Sequence, residues 1–348
     1  MIFLWIGIGV LFLLLLFVAI VTVYLYRYGL SRRPLKRFPE SRDIWSTPPQ
    51  PRTDRKGNLY DPYGWGEEIR RADAELYALG HAAERITVQS RDGLTLAARY
   101  LPPEGEALRG IVLMVHGYRS SPMNDFSIGA RDMRRMGMGC LLIEHRAHLT
   151  SEGDTIAFGV LERYDVLEWA RLIEKEFPGV PVILDGISMG GATVLMAAGL
   201  PLPDNVRGII ADCPFTSMKE MFEKIIGEWF HLPAWPFIPL ADLYCRKKNG
   251  FGFGDVTAQD GLLRAKVPVL MAHGTGDTFV PYEMSERIYR LAKDTVDVTL
   301  LTAEGAEHGL SYLCAYDAYH DAIRSFFDKC LLAKADGTKN GKKRNPLS

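Results

Sequence analysis

Three regimes of apolar and polar positions follow one another along the chain. From Met1 to Tyr26 no side chain is charged, and the Leu, Phe, Ile and Val run has Trp5 near one end and Tyr24, Tyr26 and Tyr28 near the other. A helix of that length spans roughly 39 Å, enough to cross a hydrocarbon core with some tilt. The run is long for a cleaved signal peptide, lacks a basic region before it and is followed by no A-x-A-like site, so the pattern predicts a transmembrane anchor over residues 1–26. Residues 27–83 form a second regime. Pro34, Pro39, Pro48, Pro49 and Pro51 lie among Arg, Ser and Asp and read as a juxtamembrane linker, and then Ile69, Ala72, Leu76 and Leu79 recur at near-helical spacing between Asp61 and Ala83.

In the third regime the period shifts to that of strands. Residues 85–90 and 94–100 flank Arg91-Asp92-Gly93 and predict a hairpin. Apolar runs of strand length follow at 110–115, 139–144, 180–184, 206–211, 267–272 and 296–301, with helical stretches between them such as 158–177 and 281–293. Continuous apolar strands are those of a parallel sheet covered on both faces, so residues 84–333 predict one α/β domain that starts antiparallel and becomes mostly parallel. Residues 334–348 read as a basic, disordered tail.

Composition changes this picture little. With 348 residues and 47% hydrophobic content, the chain can bury a large core. Its 41 Lys and Arg nearly cancel 42 Asp and Glu, which gives no footing for a nucleic-acid partner. The placement of charge says more: Arg27, Arg32, Arg33, Lys36, Arg37 and Arg42 all follow the apolar run, so the basic-residue rule puts the soluble domain on the cytoplasmic side, the outer face being the alternative. Five cysteines without paired spacing suit a reducing compartment. There is no H-E-x-x-H, C-x-x-C or Walker-type run, and we expect no metal or nucleotide cofactor.

The chemistry concentrates at Gly186-Ile187-Ser188-Met189-Gly190, directly after an apolar strand. A Ser between two Gly on a sharp strand-to-helix turn is a nucleophile elbow, where a side chain at either Gly would meet backbone. An activated Ser needs an imidazole base, and the base needs a carboxylate to hold its tautomer. His308 follows the last strand, and Asp277 follows the preceding one in His273-Gly274-Thr275-Gly276-Asp277; Asp212, at the end of the 206–211 strand, is the other candidate acid. His116 and His273 precede Gly at strand ends and read as loop-orienting residues. His145 and His148 could be structural or face substrate. For the oxyanion, the backbone N–H groups of Met189 and Tyr118 are the expected donors.

Taken together, His116-Gly117, the 186–190 elbow, the 273–277 loop and Glu307-His308-Gly309 resemble the α/β-hydrolase superfamily, nearest to membrane-anchored bacterial hydrolases of the serine aminopeptidase-like group. Residues 144–153 are similar to that family's D-x-R-G-x-G-x-S-x-G loop, with Glu144 for Asp and with Ala147 and Leu149 for Gly. The resemblance implies an α/β-hydrolase fold, a triad of Ser188, His308 and Asp277, and a cap over the site at about residues 214–262. That cap is rich in aromatics: Phe215, Phe222, Trp229, Phe230, Trp235, Phe237, Tyr244, Phe251 and Phe253. An apolar lid over a serine suits a small-molecule or lipid-like acyl substrate, and we expect an esterase. A peptidase of aminopeptidase type, or a thioesterase or acyltransferase, would use the same triad. An aminopeptidase would need an anionic subsite, for which Glu144, Glu152 and Glu162 are candidates. A catalytically silent membrane scaffold is the alternative outside enzymes.

Overall fold

The computed structural model describes residues 1–32, 43–54 and 56–332. Arg33, Pro34, Lys36, Arg37, Pro39, Arg42 and the predicted tail lie outside the described residues. Eight strands form one sheet in the order β1-β2-β4-β3-β5-β6-β7-β8, where β1 is Arg85–Gln89, β2 Thr95–Leu101, β3 Gly110–Val115, β4 Met138–Glu144, β5 Val182–Ile187, β6 Val206–Asp212, β7 Val269–Gly274 and β8 Val298–Ala303. The β1/β2 and β2/β4 pairs are antiparallel, and all other pairs are parallel. This is the α/β-hydrolase arrangement expected from the sequence.

Helices cover both faces. In chain order they are α1 Ile2–Leu30, α2 Gly66–Ala82, α3 Pro122–Arg135, α4 Glu162–Glu176, α5 Met189–Ala197, α6 Met218–Phe230, α7 Ala234–Asn249, α8 Ala258–Leu262, α9 Tyr282–Ala292, α10 Ser311–Cys314 and α11 Tyr316–Leu332. Strand side chains alternate between faces. Ile111, Leu113, Val115 and Leu184 therefore join one core with α4, α5, α9 and the cap helices α6 and α7. Val112, Met114, Ile183 and Ile210 join the other, beneath α2, α3 and α11.

Element ends move where backbone chemistry requires it. β5 and β7 start two residues later than their apolar runs, because Pro181 and Pro268 have no N–H for the ladder and instead offer their carbonyls to Ile111 and Ile209. Val296 precedes β8 because its N–H closes the end of α9 on Ala292. α4 begins at Glu162 and not at Phe158, since the buried Glu162 carboxylate accepts the Ala157 and Gly159 N–H groups at 2.7 and 2.9 Å and fixes a turn there. α1 runs four residues past Tyr26, and its last turns are buried against the domain at Leu25, Tyr26, Gly29 and Leu30. The described part of the linker does not hang free. Trp45 is 1% exposed and packs on Gly80 of α2, and Arg52 pairs with Asp73 of the same helix.

The 144–153 loop holds its shape without the two glycines. Ala147 and Leu149 both adopt positive φ, 59° and 44°, a conformation that strains a residue with a Cβ by about 1–2 kcal/mol. Polar partners hold the loop there: the buried Arg146 bonds the buried Asp165 at 2.6 Å and the exposed Asp92 at 2.9 Å, and Ser151 Oγ donates to the Glu144 carbonyl at 2.7 Å. On the adjoining strands, Asp185 and Asp212 follow Ile183 and Ile210 by two residues and so share the α3 and α11 face. Burial, with the charge of Asp212 adding to it, pushes the Asp185 carboxyl up to about 8. Burial pushes Asp212 up to about 6.

Two predictions follow from these strained and buried groups. Ala147→Gly should leave the thermal midpoint unchanged or raise it, whereas Ala147→Val should lower it, because only the former relaxes the positive φ. Equal losses in differential scanning calorimetry would show that φ is not the constraint. Asp185 is protonated in the fold up to a pH well above the unfolded carboxyl value of about 3.9, so the native state binds the extra proton and its stability falls as pH rises from about 4 to about 8. Asp185→Asn should flatten the decline of the thermal midpoint between pH 5 and 8.5. A slope equal to wild type would contradict the assignment.

Candidate active site

The elbow is built by close approach. Ser188 sits at φ 57°, ψ −114°, between the end of β5 and the first turn of α5. A Cβ at Gly190 would lie 1.8 Å from the Val115 carbonyl oxygen, and one at Gly186 would lie 2.3 Å from the Gly190 carbonyl. The Ser188 N–H is held by the Asp212 carbonyl at 2.8 Å. Only glycine fits on either side, and the serine side chain is left facing the loops beyond the sheet edge.

Those loops bring Asp277 and His308 to it. Ser188 Oγ lies 2.9 Å from His308 Nε2, and His308 Nδ1 lies 2.6 Å from Asp277 Oδ2. A carboxylate only accepts, so Nδ1 carries the proton and Nε2 is free to accept from the serine. Asp277 is saturated with donors: Oδ1 takes the Phe279 and Val280 N–H groups at 2.9 and 2.8 Å, and Oδ2 also receives His273 Nε2 at 3.1 Å. Burial raises the Asp277 carboxyl, but bonds from His273 and His308, the His308 charge and the Val280 N–H outweigh it and hold the group down at about 2. His273 Nε2 faces two acceptors, Asp277 and the Val280 carbonyl, so it is the donor, and its Nδ1 lies 2.6 Å from Ser285 Oγ. The loop-orienting role expected for His273 is thereby exercised on Asp277.

Asp212, the other candidate acid, makes no contact with His308 Nδ1, and its Oδ1 has no hydrogen-bond partner. The loop after β3 carries the expected oxyanion donor. Asp125, at the start of α3, accepts the Gly117 N–H at 2.7 Å and also holds the Ser120 hydroxyl. His148 Nε2 accepts the Arg119 N–H at 2.9 Å. Between these two pinned groups, the Tyr118 N–H has no acceptor among the described residues. Met189 opens α5, and N–H groups in a first turn have no intrahelical carbonyl. The position a Cβ would take on Gly117 is 3.4 Å from Ser188 Cβ, so this loop closes directly over the elbow.

His148 and His145 do not face a substrate. His148 is pushed down to about 4 by burial and holds its proton toward the Arg146 carbonyl, while His116 accepts the His145 N–H. The three rings form a buried, neutral cluster of edge-to-face and tilted contacts beside the loop after β3, with centroids 4.8 to 5.9 Å apart. The three glutamates considered for an amine subsite are occupied elsewhere, which corrects that expectation. Glu144 accepts from Thr150, Glu152 from the Thr95 N–H, and Glu162 from Ala157 and Gly159. Asp125 and the cap-facing end of α1 had no motif to announce them. A single atom each of Cys213, Asp277 and His308 come within 4.8 Å of one another. Burial pushes the Cys213 thiol far up, however, and a protonated thiol is a poor metal ligand.

The serine and histidine open into a cavity of about 860 Å³, within the range of small-molecule sites. Its upper walls are apolar and come from Phe158, Phe215, Phe222, Phe230, Phe237 and Phe279. A second arm runs past Asp185, Asp212, Tyr312 and Tyr319.

The family model described as serine aminopeptidase, S33, matches residues 106–244. The chain is 29% identical to the monoglyceride lipase of Homo sapiens over 257 residues, 63% of this chain and 81% of that protein. It is 28% identical to the uncharacterized protein YqkD of Bacillus subtilis over 218 residues, 62% of this chain and 70% of that one. In three dimensions it resembles a Pyrococcus furiosus esterase with a TM-score of 0.59 at 18% identity, covering 72% of this chain and 91% of the other. It also resembles a Pyrococcus horikoshii acylaminoacyl peptidase with a TM-score of 0.55 at 18% identity, covering 74% and 43%. The two solved structures speak for the fold, and the family model and the lipase speak for descent. The chain is a serine hydrolase of α/β-hydrolase fold, similar over part of its length to the serine aminopeptidase-like group.

Proposed function

We propose that the protein is an esterase that acts through an acyl-enzyme, with Ser188 as nucleophile, His308 as base and acid, and Asp277 as the group that orients and charges against the imidazole. The observation that carries this reading is the unbroken hydrogen-bonded chain from Ser188 through His308 to Asp277 at the floor of an apolar cavity. Ser188 Oγ attacks the ester carbonyl as its proton passes to His308 Nε2, and the N–H groups of Tyr118 and Met189 receive the developing oxyanion. Collapse expels the alcohol, which takes the proton from Nε2. Water then attacks the acyl-enzyme carbonyl as its proton passes to His308 Nε2, and collapse breaks the bond to Ser188 Oγ, releasing the acid while Nε2 returns the proton to Oγ.

Ester is favoured over N-terminal peptide on charge. A protonated amine needs an anion in the site, and the acids that line the cavity beside Ser188 do not supply one simply. Asp125 is committed to Gly117 and Ser120, while Asp185 and Asp212 are pushed toward their neutral forms and lie on the sheet face away from the cap. Likeness to a monoglyceride lipase supports an acyl ester as the bond cleaved.

A fluorophosphonate probe should label wild type and not Ser188→Ala. Across p-nitrophenyl esters of increasing chain length, turnover should exceed that of aminoacyl arylamides. The reverse order would replace the esterase with a peptidase. Asp277→Asn should lower kcat by about 10³–10⁴, and Asp212→Asn should keep kcat within about tenfold of wild type. Near-normal activity of Asp277→Asn would remove that residue from the constellation.

A further inference from the structure

The long apolar helix changes character along its length. From Ile2 to Ile20 its side chains are exposed apart from a half-buried Val18, a stretch of about 28 Å at the helical rise and close to the thickness of a hydrocarbon core. Beyond it, α1 becomes a wall of the active site. Leu25, Tyr28 and Gly29 line the cavity, and a Cβ on Gly29 would lie 2.6 Å from the Phe222 ring. The Gly29 carbonyl accepts the Tyr118 hydroxyl at 2.7 Å, and the Arg119 guanidinium donates to the carbonyls of Tyr28 and Ser31 at 2.6 and 3.1 Å. These last-turn carbonyls have no intrahelical donor, so the loop that carries the Tyr118 N–H is fastened to the end of the apolar helix.

The cap lies against the same helix. Tyr26 meets Tyr244 of α7 edge to face at 4.7 Å, Lys248 Nζ sits 5.2 Å above the Tyr26 ring, and Tyr28 meets Phe230 of α6 at 5.8 Å. On its outer side α7 exposes Trp235 at 77%, Leu240 at 39% and Leu243 at 51%, and it ends in Arg246, Lys247 and Lys248. Large apolar side chains followed by basic ones describe a helix seated in a membrane interface. Continuity decides the occupant, since this surface adjoins the point where α1 leaves the domain.

We propose that α7 seats in the surface of the bilayer that α1 spans, and that the substrate is an acyl lipid drawn from that bilayer into the cavity between α1 and the cap. The apolar helix is then a component of the acyl site, with Leu25 and Tyr28 lining it together with Phe222 and Phe237 of the cap. This inference rests on the esterase reading, because the lipid's ester must reach Ser188.

The test uses the full chain in phosphatidylcholine vesicles, with a long-chain monoacylglycerol in the same vesicles and p-nitrophenyl acetate in the water. Trp235→Glu with Leu243→Glu should lower turnover of the vesicle-borne lipid at least tenfold and leave the soluble ester within twofold. Unchanged lipid turnover, or a parallel fall of both substrates, overturns the proposal. Independently of folding losses in that variant, a nitroxide on Leu243→Cys in active protein should be reached by oxygen in preference to a water-soluble nickel chelate. Preference for the chelate overturns the seating. Fluorophosphonate labelling of the same samples separates the two ideas: labelled protein with a water-facing nitroxide ends the membrane seating alone, and wild type that does not label ends the esterase with it.

Discussion

The contact between Gly190 and the Val115 carbonyl is the constraint on which the site depends. No Cβ fits there, so α5 can press directly onto the sheet, and Ser188 is forced into a backbone conformation that L residues avoid. Strain of this kind is not confined to the serine. Of the eight described non-glycine residues at positive φ, six are Arg119, Ala147, Leu149, Phe158, Ser188 and Cys213, which sit in the loops at the carboxyl ends of β3, β4, β5 and β6. The sheet pays for that strain with its buried strands, whose packing over-determines the loops above them.

The loops in turn hold one another. Asp125 and His148 grip the two neighbours of Tyr118 by their N–H groups, and His148 itself is fixed by the 144–153 loop, which Arg146 ties to Asp165 and Asp92. The backbone that would meet an oxyanion is therefore positioned by buried, neutral imidazoles and a buried carboxyl on separate elements. Charge would be costly in that layer, which is why the histidines there are pushed toward their uncharged forms.

Much of this was legible in the residues because it rests on short-range rules. The strand runs, the glycines around Ser188 and the placement of Asp277 and His308 after successive strands are local patterns, and each survives folding with shifts that Pro181, Pro268 and Glu162 explain. What the sequence hid depends on contacts between distant segments. Asp125 looks like any acidic residue in a first turn until the Gly117 N–H is placed over it. The three glutamates looked available until backbone donors were found on each. Apolarity announced α1 as a span, but a uniformly apolar helix carries no periodicity to say which residues meet protein, so Leu25, Tyr28 and Gly29 could not be assigned to the cavity.

Carboxyl groups along one sheet edge show why residue type alone does not fix protonation. Asp277 and Asp185 are both shut away from water, yet one is held near 2 and the other pushed to about 8. The first receives two backbone N–H groups and two imidazoles, so burial strengthens every attraction to its charge. The second has no side-chain hydrogen bond among the described residues, and the charge that adds to its burial is that of another acid, Asp212. Two residues of one chemistry, Asp185 within β5 and Asp277 in the loop after β7, are thus pushed toward opposite protonation states by what donates to them. Asp277, on the far side of His308 from the serine, is the one held firmly as a carboxylate, which is the state an imidazole needs beside it when it takes a proton.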